Sequence, residues 1–274
     1  MAKHVYRYQA FRTCRHRCNA ARLILHNKIY AASSLSFNDP FDCSPVLSFK
    51  NAKKDDLLTF LCGRLSRNYQ KEGKHISHAN IMNEAEYLLK NDWHPGSPKW
   101  SEYNKELEKG FYEDIEPVIG IVSLSKTPND ILMWSHYSDG HRGLCLQFDR
   151  KTLDYPDKFL EVDYRKNDDR PTVKEHNEEA DQLKNKFFLR PKASHWYYEK
   201  ECRLCLNTTD GRMYQLPENA LTGVILGIKM PDRYKFRIKE WAKKRKKKGS
   251  PFIHIFEAQP SEDKYEVNIP GLSS

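Results

Sequence analysis

Apolar and polar positions alternate from Lys3 to Gln9 (KHVYRYQ), the period of a half-buried strand. Asn19–His26 (NAARLILH) shifts to helical spacing with Leu23 and Ile24 inward, and Lys28–Ser33 (KIYAAS) reads as a second strand. The stretch SLSFNDPFDCSP, dense in Ser, Asn, Asp and Pro, reads as an ordered turn. From Lys54 to about Asp114 the pattern is helical and charged, in three runs (DDLLTFLCGRL, ANIMNEAEYLL, KWSEYNKELEKGFYEDI) divided by polar or Pro/Gly-rich linkers. Strand character returns at Val118–Leu124, Gly143–Phe148, Phe159–Tyr164, Tyr197–Leu206, Gly223–Ile228 and Phe252–Phe256. A helix fits PNDILMWSHY, a charged helix fits Val173–Phe188, and a basic helix fits residues 231–248. Strands outnumber helices at both ends and do not alternate with them as βαβ units do. The pattern therefore predicts an α+β fold with a mixed or antiparallel sheet core, a single domain over 1–274 with a helical insertion at 54–115.

Composition narrows the class. No apolar run approaches the ~18 residues of a membrane-spanning helix, and MAKHVYRYQAFR lacks the apolar stretch of a secretory signal. Seven cysteines without an export signal read as reduced thiols of a cytoplasmic protein. Cys202 and Cys205 lie three apart on a predicted strand and face opposite ways, while Cys14, His16 and Cys18 lack a second ligand pair, so no metal is expected. GxGxxG, GxxxxGK[ST], HExxH and GxSxG are all missing. The net charge of +9 is concentrated in one segment, Arg233–Lys248, with ten Lys or Arg and only Glu240 against them. Tyr234, Ile238 and Trp241 form an inward stripe there. That leaves Arg233, Lys235, Arg237, Lys243, Lys244, Arg245, Lys246, Lys247 and Lys248 as a candidate nucleic-acid contact, or as a solvated turn suited to a helix C-terminus.

Three stretches could carry chemistry. On a continuous strand, His195–Leu206 (HWYYEKECRLCL) puts Tyr197, Glu199, Glu201 and Arg203 on one face, with the carboxylates roughly 6–7 Å apart at ~3.3 Å per residue. Paired acids beside a guanidinium can divide roles, one orienting a hydroxyl and one stabilising a cation; cross-strand ion pairs at a solvent face are the plainer alternative. In FNDPFD (Phe37–Asp42), Pro40 keeps Asp39 extended, Asn38 and Asp39 favour an Asx turn, and the two phenylalanines are expected to anchor it in the core. In LMWSHYSDGHRG, His136, Tyr137, His141 and Arg142 could line a pocket, or His136 could be a structural donor.

Together, YRYQAF, N-x-x-x-LIL-x-x-KIYAAS-x-x-x-FNDPFD, ILMWSHYSDGHRGLCLQFD, W-x-YEKECRL and GVILGIK resemble, in this order, the family catalogued as domain of unknown function 2971. The opening strand–helix–strand order also resembles, more distantly, the start of ADP-ribosyltransferases, which use a first-strand Arg or His, a Ser- or Tyr-bearing second strand and a later Glu, often in an E-x-E pair. That resemblance implies NAD as substrate. Arg7 would hold its pyrophosphate, Ser33, Ser34 and Ser36 would brace the nicotinamide ribose, and Asn38, His136, Tyr137 and Arg203 would complete the binding site. Glu201, with Glu199, would stabilise the oxocarbenium-like cation. A toxin or phage-defence effector acting on nucleic acid or an associated protein is the role it permits. The rival readings are a non-enzymatic nucleic-acid-binding module and a metal-dependent nuclease using Asp39, Asp42, Glu199 and Glu201.

Overall fold

Val5 and Arg7 alternate with Tyr6 and Tyr8, so the first strand has two unlike faces, and each meets a different layer. The structure, a computed structural model, describes residues 3–93, 97–153, 159–179, 187–247 and 249–272. The chain divides into two units, one of Met1–Phe37, Pro117–Val162 and His195–Ser274, the other of Asn38–Glu116 and Asp163–Ser194. The predicted helical run at 54–115 lies in the second unit, which also takes in a later stretch that the sequence pattern does not separate from the sheet.

In the first unit, β1 (His4–Gln9), β3 (Ile119–Ser125), β4 (Leu144–Asp149), β5 (Phe159–Glu161), β8 (Glu201–Asn207), β10 (Leu221–Leu226) and β11 (His254–Glu257) form a mixed sheet of order β11-β10-β4-β1-β3-β8-β5. Every neighbour is antiparallel except β10 and β11. One face carries Val5, Leu124, Leu146, Phe148, Cys202, Leu204 and Val224 and is covered by α1 (Cys14–His26) and α8 (Asp232–Lys247) through Leu23, Ile24, Ile238 and Trp241. The other carries Tyr6, Tyr8, Cys145 and Ile225 against Met133 and Trp134 of α5 (Ile131–Tyr137). β2 (Lys28–Tyr30) pairs with β9 (Met213–Gln215), and Ala32 just beyond it bridges Ile121 of β3. A short α6 (Arg150–Leu153) follows β4, and β12 (Gln259–Pro260) pairs with β13 (Val267–Asn268) near the end of the chain. α1 starts at Cys14, ahead of the predicted Asn19, because the Thr13 side chain accepts the His16 N–H as an N-cap.

The second unit packs α2 (Lys54–Lys71), α3 (His78–Asn91), α4 (Pro98–Gly110) and α7 (Val173–Glu179) around Leu47, Phe60, Leu61, Ala85, Trp93, Tyr103, Val173 and Phe187. β6 (Asp163–Arg165) and β7 (Pro191–Ala193) pair in parallel beside them. The predicted strand at Phe159–Tyr164 is thus two short strands, β5 and β6, in different units. Of the predicted helix at Val173–Phe188, the segment 180–186 lies outside the described residues. FNDPFD does form an Asx turn, with Asp39 Oδ1 accepting the Phe41 N–H at 2.8 Å, but of the two phenylalanines only Phe37 is half-buried. Phe41 is 66% exposed, whereas Asp39 and Asp42 are buried, Asp42 3.3 Å from Lys192 Nζ. Among the described residues, no helix is long and apolar enough to cross a membrane.

Candidate functional site

β8 begins at Glu201, two residues after the glutamate predicted to share its strand. Residues Ser194–Glu199 form a 3-10 turn, and Lys200 (φ 44°) takes the left-handed conformation that joins turn to strand. Glu201 and Arg203 share a face as predicted; Glu199 reaches its position from the turn. Both glutamates and Arg203 are buried, so the solvent-facing alternative does not hold.

Arg203 Nε and Nη2 hold the two oxygens of Glu201 at 2.9 and 3.0 Å, a bidentate pair. The Phe37 ring centre lies 5.8 Å from the Arg203 guanidinium, so the SLSF turn reaches this pair. Glu201 faces Ser125, and Ser125 faces Tyr6, in one row across β8, β3 and β1. Ser125 Oγ donates to the Glu199 carbonyl at 2.7 Å. Burial raises the Tyr6 phenol above its ordinary pKa. Two adjacent residues of α5 grip two adjacent residues of the turn: Tyr137 donates to Glu199 Oε1 at 2.5 Å, and His136 Nδ1 lies 3.0 Å from the Tyr198 hydroxyl.

Arg7 is not part of this group. Side chains alternate along β1, so Arg7 emerges on the face opposite Tyr6, Ser125 and Glu201. There Arg7 Nη1 donates to the Tyr30 carbonyl at 3.2 Å, and burial pushes its guanidinium pKa down to about 10. The expected meeting of a first-strand guanidinium with a late glutamate therefore fails on parity. Ser33 and Ser36 serve their own turn: Ser33 Oγ accepts the Leu35 N–H, and Ser36 Oγ donates to the Ser33 carbonyl. Ser34 Oγ is buried without a partner. Asn38 belongs to the second unit. Among the described residues, no group of three His, Cys, Asp or Glu is placed to hold a metal ion.

The rest of LMWSHYSDGHRG positions α5. Asp130 caps the helix by accepting the Leu132 and Met133 N–H groups, and Trp134, fully buried, donates from Nε1 to the Pro128 carbonyl at 2.8 Å. Asp139, Gly140 and His141 all have positive φ, and the chain then passes so close to its neighbours that a Cβ on Gly143 would sit 2.2 Å from the Gln9 carbonyl oxygen. His141 and Gly143 accept backbone hydrogen bonds from Lys229 and Gly227, which ties this loop to GVILGIK.

A second candidate surface lies on the helix-covered side. α8 docks on the predicted stripe: Tyr234, Ile238 and Trp241 pack inward, with Phe11 5.2 Å from Tyr234 and 6.1 Å from Trp241. The stripe has a fourth member that charge conceals. Arg245 is fully buried and donates to the Ile24 carbonyl, Asn27 Oδ1, and the Glu218 and Pro251 carbonyls at 2.7–3.1 Å, so it is no partner contact. Lys235 and Lys239 are held by Glu257, and Lys243 by Glu240. Arg233, Arg237, Lys244, Lys246 and Lys247 remain exposed, and Lys248 lies outside the described residues.

Sequence reasoning missed two contributors. Ser125 ends an ordinary apolar strand and carries no motif. The α1 side of the basic surface was legible in charge alone, since the first 38 residues contain no Asp or Glu and seven Lys or Arg. No curated protein and no solved structure matches the chain. His136 and Tyr137 of α5 and the Glu199–Arg203 motif that they hold in space fall within residues 133–204. That stretch matches the family described as Protein of unknown function (DUF2971), the family that its motifs resemble.

Proposed function

We propose that the first unit binds nucleic acid through the adjoining outer faces of α1 and α8. The supporting observation is their side-by-side packing. Arg17 lies 5.6 Å from the Tyr234 ring centre and Arg245 donates to the Ile24 carbonyl, so the exposed Arg22 and Lys28 on one side and Arg237, Lys244 and Lys247 on the other belong to segments joined along that contact. Among the described residues no ion pair joins any of these five to a carboxylate. Arg22, His26 and Lys28, with one acid, Glu218, among them, line a groove of about 780 Å³ that reaches Ser250, just past the end of α8. A helix of α8's 16 residues is ~24 Å long, the length of about seven nucleotide steps at ~3.4 Å per strand. Cations spread over that length suit a polyanion better than a single acidic side chain.

Anisotropy of a labelled 20-nucleotide probe, titrated from 50 to 200 mM salt, tests this. Affinity is expected to fall steeply with salt, and Lys244→Glu with Lys247→Glu to lower the log–log slope by about 1.5. Salt-independent binding, or charge reversal without effect, overturns the proposal.

One observation favours a second reading, transfer of ADP-ribose from NAD at the sheet face opposite α1 and α8. Ser125 and Glu201 face each other across neighbouring strands, with Glu199 beside them, a pattern similar to the Ser and E-x-E strands of ADP-ribosyltransferases. Glu201 would then meet the ribose 2′-OH and Arg7 would take no part. Nicotinamide release that Glu201→Gln abolishes supports this reading; equal values for wild type and variant dismiss it.

A further inference from the structure

β11 is the outermost strand of the sheet on its side, and the chain leading into it carries a file of rings. Phe252, His254 and Phe256 are spaced two apart and follow one another at centroid distances of 5.0 and 5.9 Å, while Ile253 and Ile255 between them pack into the core. Phe256 is partly buried over Gly223, where a Cβ would come 3.0 Å from its ring. Phe252, by contrast, is 60% exposed, and His254 is exposed beside it. Lys246, in the last turn of α8, holds its ammonium 5.7 Å from the centre of the Phe252 ring. The ring file therefore starts where the basic helix ends. The nearest acid along the strand, Glu257, is already met by Lys235 and Lys239 at 3.1 and 2.8 Å.

We propose that Phe252 and His254 are stacking positions for the bases of single-stranded nucleic acid whose phosphates run along α8. This rests on the nucleic-acid reading above and specifies its ligand. Phe252 and His254 are exposed at a strand edge beside Lys246, their rings set at 84° to each other so that they present different directions to a ligand, and base faces are available to them only where the strand is unpaired. In a duplex those faces are stacked inside the helix, leaving phosphates and groove edges for the protein to touch.

Binding of a 20-nucleotide single strand and of its duplex is compared for wild type, Phe252→Ala, His254→Ala and Phe252→Trp, with thermal midpoints recorded as a folding control. Wild type is expected to prefer the single strand. Each alanine variant should lose about tenfold for it while binding duplex within twofold of wild type. Phe252→Trp should retain binding, with its indole emission quenched when the strand is added. Equal affinity for both probes, with Phe252→Ala changing neither, overturns the stacking proposal and leaves the basic surface standing. Absence of binding to both probes overturns the nucleic-acid reading and this proposal with it. Phe252-dependent binding to vesicles containing phosphatidylserine, without binding to either probe, does the same.

Discussion

Lys244 and Arg245 are neighbours in the most basic run of the chain and serve opposite ends. Lys244 is exposed, whereas Arg245 crosses from α8 to the end of α1 and places its donors on the Ile24 carbonyl, one that a helix C-terminus leaves without an intrahelical partner, and on the side-chain oxygen of the C-cap residue Asn27. The buried cation also lies at the negative end of α1's dipole. Truncation leaves four acceptors without their donor. Hydrogen bonds to a charged group contribute about 1.5–3 kcal/mol each and do not add, so Arg245→Ala should cost on the order of 3 kcal/mol. For a chain of this size that is roughly a 6–12 °C fall in Tm. Lys244→Ala should stay within about 0.5 kcal/mol of wild type. Thermal unfolding followed by circular dichroism distinguishes them; two equal shifts would mean that Arg245 is not the brace its geometry makes it.

Among the elements, the sheet was legible where its two faces differ in chemistry. β1, β4 and β10 alternate or run apolar and lie within a residue or two of their predicted bounds. The turn before β8 was not legible, because HWYYEKE has strand-like composition and the left-handed Lys200 that breaks it is not a residue type that announces such a bend. Glu201 and Arg203 could thus be read as neighbours on one face, whereas the partner of Glu199 is Tyr137, 62 positions earlier. Arg7 was misplaced for a related reason: period-two reasoning assigns faces within a strand, but which faces of two distant strands coincide depends on register. The same contact logic makes glycines in GVILGIK and DGHRG irreplaceable. A Cβ on Gly227 would stand 2.3 Å from the His141 carbonyl oxygen, a backbone atom with no room to yield, while one on Gly110 meets nothing within 4 Å. Gly227→Ala is expected to destabilise by about 1–3 kcal/mol. Gly110→Ala, at the end of α4, should stabilise by up to ~1 kcal/mol. Urea midpoints of the two variants should move in opposite directions, and a Gly227→Ala protein with an unchanged midpoint would refute the close approach.

Across the whole molecule, the two units differ in what their interiors can tolerate. The basic face and the ring file belong to the first. The second is built on aromatic contacts, with His176 set among Phe60, Phe187 and Phe188 at 5.5–6.4 Å. Burial there, with Arg67 adding to it, pushes the His176 pKa down to about 4, against about 6.5 in an unfolded chain. Between those values the unfolded chain binds a proton that the folded unit refuses, so stability rises with pH across this window. The contribution is complete above about pH 6.5 and is lost progressively as pH falls toward 4, a change on the order of 3 kcal/mol. Glu175, whose hydrogen bonds from Thr172 and Arg165 outweigh burial and lower its pKa, acts in a separate range, losing its contribution below the usual carboxylate value. Hydrogen exchange of α2 and α7 amides at pH 7 and pH 5 isolates the histidine. In wild type the opening free energy, corrected for intrinsic exchange, should fall at the lower pH, and in His176→Phe it should not. Amides of β1 and β4 should show no dependence on that substitution, since His176 lies in the other unit. An equal fall in wild type and variant would place the acid sensitivity elsewhere.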